Sequence, residues 1–391
     1  MEVEAACNGA LSISTYWHER YLTMYKATSI GSALCALLLL ALIACGSDSG
    51  NNSDRETVVD GSANNDEPAV DDGANDDEAP AVDGGPVDLS NALFTNLDAS
   101  CASYANAYFS SVKDVQNGLS FDGDLTITVV GDKCVFATNA IPNHDFNDGG
   151  NFATPVSAQS ARYEIPMTAV AASNPTPLEM GDDAIFLNGI KLDLLAAACY
   201  DVGSEPLGRE KIGCGPDQID NPWRYDPMSP LNEFGTDRNN AHTQPDGTYH
   251  YHGNPMAMFV TDCETSATVS PVIGFAADGF PIYGSCFDDN GTVRKAISSY
   301  QFKENGGARE AVGSYTTPVG GRGAVVGDAY DGQFRGDYEY VEGAGDLDVC
   351  NGMVANGQYG YYVTDAYPWV LGCYTGTPDD SFGLLMGPPG R

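Results

Sequence analysis

The sequence predicts a mainly β protein with a few short helices: a compact, disulfide-stapled domain with long structured loops. Three observations predict it. Forty-five glycines and twenty-two prolines in 391 residues leave little room for long regular elements. The clearest apolar runs, at residues 125–130, 184–187 and 272–276, are short and bounded by Gly, Asp or Pro. Eight cysteines lie beyond residue 89, an even number in a chain that carries an export signal.

That signal comes first in the chain. Residues 33–44 are twelve apolar positions, too few for the ~20 that a bilayer span needs but suited to a signal-peptide core. They end in Leu42-Ile43-Ala44-Cys45, which resembles a bacterial lipobox, so Cys45 is the expected lipidation site and new N-terminus. Gly46 and Ser47 follow, with no Asp beside the cysteine, and the outer membrane is the expected address. Residues 1–45 therefore read as a leader. Its first 23 residues, with Glu2, Glu4, His18 and Glu19, do not fit a signal, whereas Met24-Tyr25-Lys26 gives a short positive start. Translation is expected to begin at Met24.

Residues 46–88 hold 13 acidic residues against Arg55 and almost no large apolar side chain. They contain the loose duplication Glu67-Pro68-Ala69-Val70-Asp71 and Ala79-Pro80-Ala81-Val82-Asp83. Such a stretch cannot bury a core and reads as a solvated, self-repelling tether. Residues 89–391 are the expected folded part, long enough for one large domain or two small ones. They hold 38 acidic and 15 basic residues, a net of −23. Nucleic acid is excluded as a partner, because phosphate binding needs a positive face. Anionic membrane is also repelled, so a lipid must do the anchoring.

Within the folded part, residues 90–108 carry apolar side chains at Leu93, Phe94, Leu97, Cys101, Tyr104 and Tyr108, a spacing that predicts an amphipathic helix capped by Ser90. Residues 125–130 predict a strand after an Asp122-Gly123 turn, with 134–138 as its partner across Gly131-Asp132. The Ala/Leu-rich stretch 191–199 predicts a short helix. Asp288-Asp289-Asn290-Gly291 predicts a hairpin turn, since a calcium loop would need a later Glu. The cysteine spacing favours four local bridges in chain order: Cys101–Cys134, Cys199–Cys214, Cys263–Cys286 and Cys350–Cys373. Each would close a loop worth roughly 3 kcal/mol. No Cys-x-x-Cys occurs, which argues against redox or zinc-ribbon chemistry.

The chemistry concentrates in one segment. Of five histidines in the chain, three fall at His242, His250 and His252. In a strand, His250 and His252 share one face, about 6–7 Å apart, while Tyr249 and Tyr251 take the other. Pro245-Asp246-Gly247 is a turn signal that brings His242 back to them. Imidazoles so placed suit a transition metal, zinc or copper first. The alternative is that the histidines and tyrosines simply pack in a polar sheet.

The segment Gly247-Thr248-Tyr249-His250-Tyr251-His252-Gly253-Asn254-Pro255 resembles the YHYH-domain proteins, exported bacterial proteins named for that tetrapeptide. Ile141-Pro142-Asn143-His144-Asp145 is similar to an upstream segment of that family, and Asn188-Gly189 to its Leu-Asn-Gly element. Asn240-Ala241-His242 with Gln244-Pro245 is similar to its lead-in to the tetrapeptide. Residues 274–284, 347–352 and 361–369 are similar to its later blocks, so the resemblance spans about 121–382. The family often carries a histidine in its closing block, where this chain has Tyr359-Gly360-Tyr361-Tyr362. Either this chain has lost a ligand there, or that histidine never belonged to the site. The resemblance implies no particular reaction.

His144 is the fourth histidine of the folded part and is expected either to join the other three or to cap a loop. Asp278, in Ala277-Asp278-Gly279, is a candidate ligand, general base or orienting partner, or else a turn aspartate. Asp246 carries the same alternatives, and Asp145, directly after His144, is a candidate acceptor that orients a histidine. Met256 and Met258 would either select copper or fill the core. If the site is catalytic, metal-assisted hydrolysis is the plainest reaction. The rival reading is a non-catalytic adhesion, glycan-binding or partner-binding module, with a stacking surface formed by Tyr359–Tyr367 and Trp369 or those rings buried as sheet core. The ligand or protein partner of such a module is not specified by the sequence.

Overall fold

In the computed structural model, the described residues are 85–203 and 213–383. The expected leader with Met24 and Cys45, and the expected tether up to residue 84, lie outside them. The described chain is mainly β. Strands β1 (Val87–Asp88), β2 (Asn106–Asp114), β3 (Leu119–Val130), β4 (Lys133–Thr138) and β5 (Ala161–Pro166) form one sheet in that order. The next strands are β6 (Thr176–Pro177), β7 (Ala184–Phe186), β8 (Lys191–Leu192), β9 (Ala241–Thr243) and β10 (Tyr249–Tyr251). After the single-turn helix α1 (Cys263–Ser266) come β11 (Val272–Ala276), β12 (Pro281–Tyr283), β13 (Cys286–Asp289) and β14 (Thr292–Lys295). The last are β15 (Tyr300–Phe302), β16 (Tyr338–Tyr340), β17 (Gly352–Ala355), β18 (Gln358–Tyr362) and β19 (Cys373–Tyr374). A second, mixed sheet runs β17-β18-β12-β11-β7-β8-β10-β9, and three two-stranded ribbons complete the set.

The two sheets differ in pattern because they differ in burial. Along β3, Leu125 and Ile127 are buried while Asp124 and Thr126 are not, the alternation of a one-sided strand. In β7, β11 and β12 every residue is buried, as expected of central strands covered on both faces. Phe136 of β4 and Phe275 of β11 meet at 6.4 Å between ring centres. Thr138 Oγ1 donates to the Gly189 carbonyl at 3.0 Å, which joins the first sheet to the turn between β7 and β8. A second core of Tyr200, Trp223, Tyr225, Phe234 and Phe334 sits among the long loops. There Arg309 lies over the Phe334 ring and pairs with buried Asp337 at 2.8 Å. All four disulfides join the cysteines that the spacing pairs: Cys101–Cys134, Cys199–Cys214, Cys263–Cys286 and Cys350–Cys373.

Several expectations are corrected. Residues 90–108 form no amphipathic helix; they hold a 3-10 turn at Cys101–Tyr104 and then enter β2. The cause is local. Asp88, Asn96 and Asp98 each accept the backbone N–H two residues on, which offers that backbone an alternative to the helix. Leu93 and Leu97 are left exposed, so their spacing marks no buried stripe. Residues 191–199 are not helical either. Lys191 and Leu192 form β8, and Leu194 N–H donates to Asp183 Oδ2 at 2.8 Å, so tertiary pairing overrides helix propensity. Asp122-Gly123 is no turn but lies inside β3, where Gly123 lets Ser110 and the Ile141 carbonyl approach the backbone. Val87 and Asp88, placed at the end of the tether, already pair with Tyr108 and Phe109.

Asp183 anchors the middle of the second sheet. Its Oδ2 accepts from Leu194 N–H and its Oδ1 from the Tyr374 hydroxyl at 3.1 Å. Burial pushes its carboxyl up to about 7, against smaller opposing pulls from those hydrogen bonds and the Arg335 charge. A carboxyl raised on folding stabilises the protein fully below its unfolded value near 4, and that contribution fades as pH rises towards 7. Over that window, urea unfolding should show the wild type losing up to about 1.4 kcal/mol per pH unit relative to Asp183→Asn. Parallel pH profiles for the two proteins would contradict this assignment.

Candidate metal centre

The site is a hairpin. β9 and β10 pair antiparallel with His250 directly opposite His242, so both side chains leave the same face. His252 lies two residues beyond His250 on that face, and its N–H donates to the Asn240 carbonyl at 2.9 Å. The turn closes through Gly247 N–H to the Gln244 carbonyl at 2.9 Å, and Asp246 Oδ1 accepts from Thr248 N–H. Asp246 is thus a turn aspartate. Gly247 has φ +87°, and a Cβ there would strike Ser157 and the Pro155 carbonyl.

His242, His250 and His252 bring their ligand atoms within 4.8 Å of one another, and all three are buried. The carbonyls around them set the tautomers. His242 Nδ1 lies 2.6 Å from the Phe234 carbonyl and His250 Nδ1 lies 3.3 Å from that of Thr248. A carbonyl only accepts, so each Nδ1 carries the proton and each neutral ring turns a bare Nε2 lone pair inward. The Nε2 of His252 stands 3.0 Å from that of His242 and 3.1 Å from that of His250. A single cation among them could be held by all three. In a tetrahedral site with bonds of about 2.0–2.1 Å, neighbouring nitrogens stand roughly 3.3 Å apart. Two of the three spacings lie near that value and all three atoms lie within 4.8 Å, so the donor set could hold a metal ion.

His250 resists protonation. Burial holds His250 well below the usual imidazole range, with charge on His252 and His242 and then Lys191 adding to the push. Lys191 pairs with His250 in register on the parallel strand β8, and its ammonium is held by Asp182 at 2.7 Å and Gln244 at 3.0 Å. Sequence reasoning missed Lys191 and Asp182 as neighbours of the site. The available signal was Lys191-Leu192-Asp193, a period-two alternation that the helix reading overrode. Asn254, two residues past His252, is buried with neither side-chain polar atom hydrogen-bonded to protein.

The opposite face of β10 does different work. Tyr251 donates its hydroxyl to His144 Nε2 at 2.6 Å and accepts from Asn188 Nδ2 at 2.9 Å. His144 Nδ1 meets the Asp145 carbonyl, which leaves Nε2 as the acceptor. Tyr249 donates to Asp237 at 2.9 Å. The expectation that four histidines meet is therefore corrected: three converge, and His144 sits across the strand because it packs on the tyrosine side. Asp145 contributes its carbonyl to His144, while its carboxylate accepts from Lys113 N–H. Asp278 lies outside the histidine cluster; its Oδ2 accepts from Tyr361 at 2.6 Å and Gly376 N–H at 2.9 Å. Met256 faces solvent and Met258 fills the main core. Gly360 on β18 lies five strand spacings from β10, roughly 24 Å at about 4.8 Å each, so a histidine there would not reach this cluster.

Tyr251→Phe should separate the two faces. It strands buried His144 and Asn188, and should cost about 1–3 kcal/mol in chemical denaturation while leaving metal uptake intact. Unchanged stability would show that the hydroxyl is no anchor, and lost metal uptake would show that its loss reaches the histidine face.

The sequence profile of the YHYH protein family matches residues 162–376, more than half of the chain. The match takes in all three converging histidines and begins after His144. No curated protein and no solved structure matches the chain. The hairpin geometry and this match together carry the assignment, and the chain belongs to the YHYH protein family.

Proposed function

We propose that this protein is a lipid-anchored envelope protein whose YHYH domain holds one transition-metal ion on His242, His250 and His252. The observation that carries the reading is the convergence of the ligand atoms of three buried histidines, two of which have Nε2 turned inward by a backbone carbonyl on Nδ1. Neutral imidazoles suit zinc and copper. A bound ion supplies a fixed positive centre or, for copper, a one-electron couple. The near-complete burial of the three rings favours holding the ion for structure or electron transfer over hydrolysis, which needs access for substrate. A glycan-stacking module needs exposed rings, yet Tyr361 and Tyr367 are buried and the Trp369 indole N–H donates to Asp226. The lipid anchor rests on Leu42-Ile43-Ala44-Cys45 and on an acidic chain that a membrane surface would otherwise repel.

Elemental analysis of the full chain, exported to an oxidising compartment and purified without chelator or histidine tag, tests the metal. About one equivalent of zinc or copper is expected. Loss of any one of the three histidines should weaken binding by more than the roughly 10–100-fold typical of outer partners, whereas His144→Gln should retain the ion. No uptake on titration, or equal uptake in His250→Ala, would overturn the site. For the anchor, Cys45→Ala should move the protein from the membrane to the soluble fraction; continued membrane association would refute lipidation at Cys45.

A further inference from the structure

A cavity of about 380 Å³ opens beside the C-terminal disulfide, in the size range of small-molecule sites. Leu178, Leu195, Ile219 and Val349 give it apolar walls. Two long polar side chains line it, Tyr300 and Arg335. Tyr300 donates its hydroxyl to the Val349 carbonyl at 2.7 Å and so has no proton left to offer. Arg335 is different. Its Nη1 is buried with no hydrogen-bond partner, and no carboxylate among the described residues reaches ion-pair distance of its guanidinium. The neighbouring arginines are satisfied: Arg309 by Asp331, Asp337 and the Gly327 carbonyl, Arg224 by the carbonyls of Ala196, Cys214 and Gln218.

Arg335 is also held in place. Its Cζ lies 5.1 Å over the Tyr367 ring. Its backbone N–H donates to the Arg224 carbonyl at 2.9 Å, and the adjacent Phe334 is fully buried in the second core. Asp183 and Asp226 feel its charge, but their oxygens are taken by Leu194 and Tyr374, and by Met228 and Trp369. A planar, permanently charged donor whose Nη1 has no protein partner can recognise a carboxylate through paired hydrogen bonds.

We propose that this cavity is a binding site for a small monocarboxylate with an aliphatic or aromatic body, its carboxylate on Arg335 and its body against Leu178, Leu195 and Ile219. The site is separate from the histidine cluster and does not depend on a metal there. A second charge on the ligand would meet apolar wall, which disfavours dicarboxylates and inorganic phosphate.

Calorimetric titration of the full chain with 4-phenylbutyrate and with 4-phenylbutanol, which share one body, tests it. The acid should bind at least about tenfold more tightly than the alcohol. Arg335→Met should erase that preference, and Arg335→Lys, which keeps the charge but loses the planar edge, should reduce it. Leu178→Trp, which fills the cavity and leaves Arg335 alone, should weaken both ligands and keeps the test valid if Arg335→Met fails to fold. Equal binding of acid and alcohol, no binding of the acid, or an acid affinity unchanged by Leu178→Trp would overturn the proposal.

Discussion

The site depends on one register. With His250 opposite His242, the antiparallel pair sends both imidazoles to one face and the period of the strand adds His252. A slip of one residue would put Tyr249 and Tyr251 in their place and the histidines into the aromatic core. That slip is opposed from both sides. Tyr251 is engaged by His144 and Asn188, and Tyr249 by Asp237, so the tyrosine face fixes the register that the histidine face uses. The tetrapeptide is thus one strand with two interfaces, and neither can shift without the other.

Much of this was legible in the sequence because it is local. The alternation of Tyr and His, the Pro245-Asp246-Gly247 turn and the short cysteine spacings each act over a few tens of residues, and the hairpin and four disulfides follow them. What was not legible is set by partners distant in the chain. Residues 191–199 have a helical composition, but β8 exists because β7 and β10 flank it. Residues 90–108 have helical spacing, but their Asx turns and ties to Asn143 and Met258 hold them extended. His144 could not be placed from its type alone. Only the structure shows which side of β10 it packs against.

The second core explains how so irregular a chain positions the histidines. Phe234, whose carbonyl orients His242, belongs to that core, and Met228 packs against Gly253 beside His252. Asp226 ties the Met228 turn to Trp369, and Asp237 ties the entry to β9 to Asn147 and Tyr249. These carboxylates are raised by burial and restrained by the N–H and O–H groups they accept from. Loops here are ordered by buried polar anchors in place of regular hydrogen-bond ladders.

The same logic bears on why three bases are buried together. Desolvating an imidazole is tolerable while it stays neutral, and the carbonyls of Phe234 and Thr248 satisfy its one proton. The three rings bring their ligand atoms within 4.8 Å of one another, an arrangement that could hold a cation. A protein stabilises such an arrangement when a ligand binds the folded form and not the unfolded one. An acidic chain supplies a favourable field for a cation, and the Lys191 charge nearest to His250 is already compensated by Asp182. On the proposed reading the cluster is a preformed cation site, and its burial would make a bound ion part of the fold.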